Sequence, residues 1–245
     1  MRKTLLLSVL APQKLHSTIP PSWFWAIWLG FLGLVVLMLY AKAREARKRR
    51  EELEQFGMER GLLFSEKPDD ALAEKLAPIQ LAMARLDYRP RYRNILQGSA
   101  GGGEVIVADR TVGSGKSQST STVIAFKFAT PFPSFMLCPE NALWRLADKV
   151  GYSDIDFEGA PDFSRRFFLH GRDPAAVRAL FKPEVTQAFE QLDSKSNCYV
   201  SGSGPWLVVY RSGRLIPVQE LRDFLQQAES LANAFRRTQS DGVFR

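Results

Sequence analysis

Residues 23–40 read WFWAIWLGFLGLVVLMLY, eighteen positions without a charge, and AKAREARKRR follows at once at residues 41–50. A helix rises about 1.5 Å per residue, so eighteen residues cover about 27 Å, close to the roughly 30 Å hydrocarbon layer of a bilayer. Because lipid offers no partner to an unpaired backbone amide, a segment that crosses it must be helical. The stretch therefore predicts a single transmembrane helix over residues 23–40.

The two flanks of this stretch predict its orientation. Three tryptophans gather at its N-terminal end and Tyr40 lies at its C-terminal end, which is typical of aromatic side chains at the headgroup level. The flank richer in Lys and Arg stays in the cytoplasm. Residues 1–22 are therefore predicted to be a short extracytoplasmic tail, and the chain after residue 40 to be cytoplasmic.

Six cations make the C-terminal flank basic, and each could contribute on the order of 1 kcal/mol toward an anionic leaflet. We predict that they contact anionic lipid headgroups, with the alternative that they only set the topology. A favourable i,i+4 pair of Glu45 with Arg49 is also expected in this helix. The six cations are Lys42, Arg44, Arg47, Lys48, Arg49 and Arg50.

Three alternatives to a plain anchor remain open at this point. The apolar run would also suit a buried helix of a soluble protein, and residues 4–11, TLLLSVLA, resemble a short secretory signal. Ala26 and Gly30 form a small-xxx-small pair, which favours self-association of the transmembrane helix.

The charge of the chain is divided unevenly. The formal net charge is +7, but residues 1–50 hold nine Lys or Arg and one acid, which leaves the remainder at −1. Nucleic-acid binding needs a basic face on the folded domain, so this partition argues against a nucleic-acid partner. Two distant cysteines and two histidines argue against a disulfide scaffold and a zinc site, and no cofactor is predicted.

Beyond the apolar stretch, the patterning predicts a helical stalk over residues 41–60, an α+β domain over residues 61–237 and a flexible tail over residues 238–245. Helices are expected to open at Pro68, Asp69 and Asp70, at Pro174 with Asp173 as cap, at Pro183, and at Pro217, which sits at the start of the last, and one is expected over residues 142–150. Pro78 falls inside the first of these and is expected to kink or split it. Strands in series with helices interposed late indicate a mostly antiparallel sheet with packed helices.

The strands themselves are predicted from short runs of Val, Ile and Phe that Gly, Ser or Pro clusters divide. Residues 202–205 are expected to form the turn of a closing hairpin. The predicted strands cover residues 94–97, 104–112, 122–128, 135–137, 165–170, 199–201 and 206–211.

Residues 113–117 read GSGKS and resemble a phosphate-binding loop. The full pattern needs a glycine at position 110, where Arg110 stands, and a helix after the serine. A hairpin tip explains the glycines, and a nucleotide-dependent enzyme or sensor is the alternative. In that alternative the nucleotide would be bound by Gly113, Gly115, Lys116 and Ser117.

Asp154, Asp156 and Glu158, followed by a glycine, match the opening of a calcium loop. The twelfth position of such a loop needs a bidentate glutamate, and Arg165 stands there. The three carboxylates are candidate metal ligands, with backbone capping as the alternative.

The stretches FPSFMLCPE at 132–140 and GYSDIDFEGAPDFSRRFFLHG at 151–171 resemble a widespread group of uncharacterised bacterial single-pass membrane proteins, and the similarity continues through DPAAVRALF at 173–181. The resemblance implies a bacterial inner-membrane protein with a cytoplasmic α+β domain. It implies no activity and no catalytic residue. Arg110 and Thr111 depart from the group, where an aromatic is commoner.

No nucleophile in the sequence has an acid and a base at a spacing that recommends catalysis. The sequence therefore favours a membrane-anchored, non-enzymatic domain that binds a protein partner or the membrane surface.

Overall fold

The computed structural model describes residues 22–82, 90–100, 102–140, 154–193 and 196–243. The expected extracytoplasmic tail, apart from its last residue, and the expected helix over residues 142–150 lie outside these residues. The chain divides into two compact units, residues 1–47 and residues 48–245, and each is described by itself.

The first unit holds most of helix α1, Ser22–Arg60. Its described large apolar side chains from Trp23 to Tyr40 are 54–68% exposed, apart from Val35, which is partly buried. Among the described residues, α1 is the one helix long and apolar enough, by length and composition, to cross a membrane.

In the second unit, α1 runs through Gly57 and ends one residue before Gly61. Gly61 has a φ of +67°, and its N–H donates to the carbonyl of Met58 while the N–H of Leu62 donates to that of Gly57. This is the pair of bonds that closes a helix on a left-handed residue, where glycine is least strained.

The second unit is built on a six-stranded sheet in which every strand pair is antiparallel. The strands pair in the order β1–β2–β3–β4–β5, and β6 also pairs with β4, the longest strand. The strands are β1 Leu63–Ser65, β2 Arg91–Ala100, β3 Gly103–Val112, β4 Ser119–Pro139, β5 Phe167–Gly171 and β6 Cys198–Arg211.

Helices cover both faces of this sheet. Helix α2 lies on one face, where Leu72, Leu76 and Ile79 are buried with strand residues such as Ile106 and Val208. The other face is covered by α6, whose apolar side chains recur every three or four residues and are buried from Leu221 to Phe235. The helices of the domain are α2 Asp70–Ala82, α3 Pro161–Arg166, α4 Pro174–Leu180, α5 Pro183–Glu190 and α6 Val218–Val243.

The predicted α+β class, with an apolar N-terminal helix and a mostly antiparallel sheet, is confirmed. The cap of α4 is also as predicted, because one carboxylate oxygen of Asp173 accepts from the N–H groups of Ala175 and Ala176. Pro78 lies inside α2, which runs through it to Ala82.

Three local predictions were wrong. The expected hairpin around residues 202–205 is one continuous strand, β6, because Gly202 and Gly204 pair with Phe135 and Phe132 of β4 across a register shift instead of turning the chain. The strands predicted over residues 122–128 and 135–137 are likewise one strand, β4, which stays paired with β6 across the register shifts. Residues 165 and 166 end α3 and do not open β5.

The tail expected to be flexible from residue 238 is helical as far as Val243. Thr238 is buried and donates from its hydroxyl to the carbonyl of Ala234, and the side-chain amide of Gln239 donates to the carbonyl of Thr130. The helix continues because its inner face still packs against the sheet. The polar composition of this segment gives no sign of that packing.

Candidate functional site

A polar cluster joins the last part of α1 to the sheet. Arg49 binds Asp109 with both ends of its guanidinium: Nε donates to Oδ2 at 2.7 Å and Nη2 donates to Oδ1 at 2.7 Å. Nη2 also donates to the hydroxyl of Thr122 at 3.1 Å, and Nη1 donates to the carbonyl of Ile216 at 2.8 Å. The side chains of Arg49 and Asp109 are 17% and 9% exposed. We call this cluster, completed by Asn94, the Arg49 network.

Strand register brings the carboxylate and its neighbours together. Asp109 of β3 lies opposite Thr122 of β4 and next to Asn94 of β2, whose amide donates to Oδ2 at 3.0 Å. Asn94 sits at a bulge between Arg93 and Leu96 with a φ of +50°, a conformation that asparagine tolerates better than most residues. Three adjacent strands thus present one polar row to α1.

The hydroxyl of Thr122 extends the network to the segment before α6. It donates to Oδ1 of Asp109 at 3.1 Å and accepts from the N–H of Ile216 at 2.9 Å. Since a bidentate arginine–carboxylate pair is among the strongest and most directional polar contacts, the network holds the last part of α1, residues 48–60, on the sheet. Its chemistry is structural, because every oxygen of Asp109 is occupied.

The cations predicted to meet lipid divide into two groups. Arg49 binds Asp109 rather than Glu45, and Arg50 donates to Glu66 at 2.7 Å, so both engage the folded domain. Lys42, Arg44, Arg47 and Lys48 are exposed, and lipid contact stays a prediction for these four.

The GSGKS stretch forms the connection between β3 and β4. Residues Gly115–Ser117 make a single 3₁₀ turn, which leads directly into β4 at Ser119, and Lys116 is exposed. Gly113 has a φ of +76°, and a Cβ there would lie 2.5 Å from the carbonyl oxygen of Ser117. The glycines therefore close a turn between two strands, and the helix whose N-terminus would hold a phosphate is absent from this connection.

The three carboxylates of the calcium motif are not gathered around one point. Oδ1 of Asp154 accepts from the N–H groups of Ile155 at 2.8 Å and Leu169 at 2.9 Å, and Arg165 pairs with Asp162. In the described part of the chain, no group of three or more acidic, histidine or cysteine side chains could hold a metal ion. Calcium binding stays a prediction, and it requires a calcium-dependent rise in melting temperature that Asp154→Ala abolishes.

Both cysteines are buried as neutral thiols. Burial raises the pKa of Cys138 and of Cys198 to about 12. Because the thiolate is the nucleophilic form, neither side chain is activated for catalysis at neutral pH.

No family model matches the chain, and no curated protein sequence does. Among solved structures, the crystal structure of the mycobacterial trehalose monomycolate transport factor A, TtfA, is similar to this chain with a TM-score of 0.48 and 13% sequence identity. The match covers 79% of this chain and 94% of that one.

Sequence reasoning found Arg49 and missed what it binds. Asp109 is sixty residues away along the chain, and it stands in a strand whose other members are mostly apolar. A carboxylate inside such a run is the one available signal, because an acid buried in a sheet needs a cationic partner.

Proposed function

We propose that this chain is a membrane-anchored, non-enzymatic protein whose C-terminal domain, residues 48–243, binds a protein partner or the membrane surface. The observation that carries the anchoring is the exposed apolar surface of α1, on which Ile27, Leu29 and Leu37 are 61%, 67% and 63% exposed. Large apolar side chains so exposed around a whole helix are stable in lipid and not in water.

Binding, rather than catalysis, is supported by how the polar side chains of the domain are used. Asp109 and Thr122 are consumed in the Arg49 network, and Asp154 holds two backbone amides. Each of these groups is engaged in hydrogen bonds that stabilise the fold.

A contact surface is supported by two apolar side chains near the end of α1. Met58 and Leu63 flank the turn at Gly61 and are 70% and 77% exposed, although the rest of the domain buries its large apolar residues well. Exposed apolar side chains that lie close together favour an interaction surface.

The anchoring is tested by extraction of membranes that contain the full-length protein. We expect detergent to release the protein and alkaline carbonate to leave it in the pellet. Leu34→Asp with Leu37→Asp should move it to the soluble fraction, because aspartate at the centre of a span costs about 3 kcal/mol per residue. Ala175→Asp with Ala179→Asp, at two exposed alanines of α4 outside the contact surface, is the matched control and should leave the protein in the membrane. Release of the unaltered protein by carbonate would contradict the proposal.

The contact surface is tested by a photo-crosslinking amino acid placed at Met58 or Leu63 in intact cells. Arg178, an exposed residue of α4, is the control position. A discrete product of higher mass at Met58 and not at Arg178 identifies a protein partner, and lipid adducts identify the membrane surface. Equal labelling at the control position would contradict a specific contact surface.

A further inference from the structure

One end of the sheet in the second unit is rich in cations. Strand register places Arg91 of β2 opposite Thr111 of β3, and residues 113–118 follow directly as the connection to β4. The chain after β6 lies beside them, because the carbonyl of Arg214 accepts from the N–H of Thr122. These strand ends, with the first residues of α1 in this unit, form a surface that we call the basic end. It comprises residues 48–52, 66–70, 90–93, 109–118 and 211–220.

Helix α1 joins the sheet at the basic end and runs away from it. Arg49 contacts Asp109, which lies two residues along β3 from the partner of Arg91. Eight residues later, a Cβ on Gly57 would lie 2.7 Å from the side chain of Leu96, which is further along β2. The chain therefore enters the folded domain at its basic end.

The charge of the domain is divided between this end and the rest. By sequence, the basic end together with residues 83–89, which precede β2, holds twelve Lys or Arg and eight Asp or Glu. The remainder of residues 48–245 holds fifteen Lys or Arg and seventeen Asp or Glu. Positive charge is thus concentrated at one end of a domain that is close to neutral as a whole. Such a division favours a partner of negative charge.

Three cations of the basic end are free to meet that partner. Arg91, Arg93 and Lys116 are exposed, and within the described residues none of them makes an ion pair. Residues directly opposite each other on paired strands share a face, so Arg93 lies on the face of Asp109, to which α1 is bound. Arg91 lies two residues earlier in the strand and points to the same face.

The acids of the basic end do not cancel these cations. Six of the seven are paired or belong to the opposite face of the sheet. Four pair with a Lys or Arg, namely Glu52, Glu66, Asp109 and Glu220. Asp69 and Asp70 lie at the start of α2, which covers the opposite face, and Asp69 accepts from the N–H of Leu72. The GSGKS connection adds the exposed Lys116 and no acid.

We propose that the basic end binds the anionic headgroups of the bilayer in which the apolar part of α1 is anchored. The proposal rests on the proposed membrane anchoring and names the ligand of the domain at the membrane surface. Arg49 is nine residues from Tyr40, and nine residues extend over at most about 32 Å. The chain itself therefore holds these cations within reach of the headgroups, where each Lys or Arg adds to the attraction by an anionic leaflet.

The test uses the full-length protein in nanodiscs that contain a lipid with a fluorescence quencher on its headgroup. A fluorophore is attached at Ser114→Cys, since this side chain is exposed and makes no cap hydrogen bond, whereas Cys138 and Cys198 are buried. We expect quenching at position 114 in nanodiscs that contain phosphatidylglycerol and not in phosphatidylcholine alone. About 1 M salt should abolish it, because the Debye length falls to about 3 Å. A fluorophore at Ala179→Cys, an exposed position of α4, should be quenched in neither.

Removal of charge supplies the matched control. Arg91→Gln with Arg93→Gln should lower the ratio of bound to unbound domains about 25-fold, since each cation near an anionic leaflet contributes about fivefold. Arg172→Gln with Arg178→Gln removes the same charge at exposed positions outside the basic end and should leave the quenching unchanged.

Three results would overturn the proposal. They are equal quenching with and without phosphatidylglycerol, equal effects of the two double variants, and an absence of quenching at position 114 in a protein that has entered the nanodiscs. The last result leaves an acidic protein as the partner of these cations and leaves the anchoring intact. A protein that does not enter nanodiscs contradicts the anchoring as well, so the two failures are distinguishable.

Discussion

Arg49 and Arg50 are neighbours of the same type, yet the fold uses them differently. Arg49 is 17% exposed at its side chain and holds Asp109 with two bonds, whereas Arg50 and Glu66 are 41% and 47% exposed. Water screens the second pair and hardly reaches the first. The side of the helix on which an arginine lies therefore decides how much its ion pair contributes to the stability of the fold.

Asp109→Asn should destabilise the domain by roughly 3 kcal/mol, because it leaves the guanidinium of Arg49 largely buried without a counter-charge. Glu66→Gln makes the same chemical change in the exposed pair and should cost less than about 1 kcal/mol. Denaturant unfolding of the full-length protein in detergent micelles measures both. Equal shifts of the two midpoints would show that the Arg49 network contributes no more than a surface pair.

At Asp154, the hydrogen bonds of the carboxylate stabilise the fold, whereas burial of its charge opposes folding. Burial raises the pKa of its carboxyl, so the folded protein binds the proton more tightly than the unfolded chain does. The resulting stabilisation is present below the ordinary pKa of 3.8 and is lost as the pH rises through the raised value. At neutral pH the ionised carboxylate opposes folding, while its oxygen still holds two backbone amides.

Asp154→Asn keeps an oxygen that can accept from Ile155 and Leu169 and removes the charge. At neutral pH we expect it to be at least as stable as the unaltered protein. Asp154→Ala should lose about 1–3 kcal/mol, because two partly buried N–H groups lose their acceptor. Thermal unfolding of the three proteins at several pH values checks this, and an alanine variant as stable as the asparagine variant would contradict it.

At the scale of elements, the pairing of β4 with β6 depends on a glycine that makes room for an aromatic ring. Gly202 lies opposite Phe135, whose ring packs against Phe181 and Phe235 at centroid distances of 5.2 and 5.9 Å. A Cβ on Gly202 would lie 2.8 Å from Cδ1 of Phe135. Because Phe181 and Phe235 pack against the ring of Phe135, the ring cannot shift to make room for a Cβ.

Gly202→Ala should therefore destabilise the domain by about 1–3 kcal/mol through overpacking. Gly159→Ala is the control and should be close to neutral, since nothing lies within 4 Å of a Cβ there. Combining Gly202→Ala with Phe135→Leu should cost less than the sum of the two single changes, because the smaller side chain relieves the clash. Additive losses in denaturant unfolding would show that the ring and the glycine are not coupled.

At the scale of the whole molecule, the basic residues after the apolar stretch have separate tasks. Arg49 and Arg50 bind within the folded domain, whereas Lys42, Arg44, Arg47 and Lys48 are exposed. In the proposed membrane-anchored protein, orientation depends on Lys and Arg within about 15–20 residues of the span, a range that includes these four exposed cations.

Replacing these four cations by glutamine should give a mixed orientation, with part of the protein carrying its C-terminal domain outside. Protease added to intact cells measures the exposed fraction. Four exposed cations far from the span, Lys116, Arg172, Arg178 and Arg237, serve as the control and should leave the orientation uniform when replaced. Uniform orientation in both quadruple variants would contradict the predicted role of the flank.

The amino-acid sequence by itself determined the apolar helix, the α+β class, the cap of α4 and the buried face of α6. Each of these depends on composition, periodicity or a residue within a few positions, and such short-range signals can be read from a linear chain. Tertiary structure alone decided that Arg49 binds Asp109 and that β6 runs on past its glycines. These features depend on strand register and on which side chains are removed from water, and both are settled only when distant segments pack together.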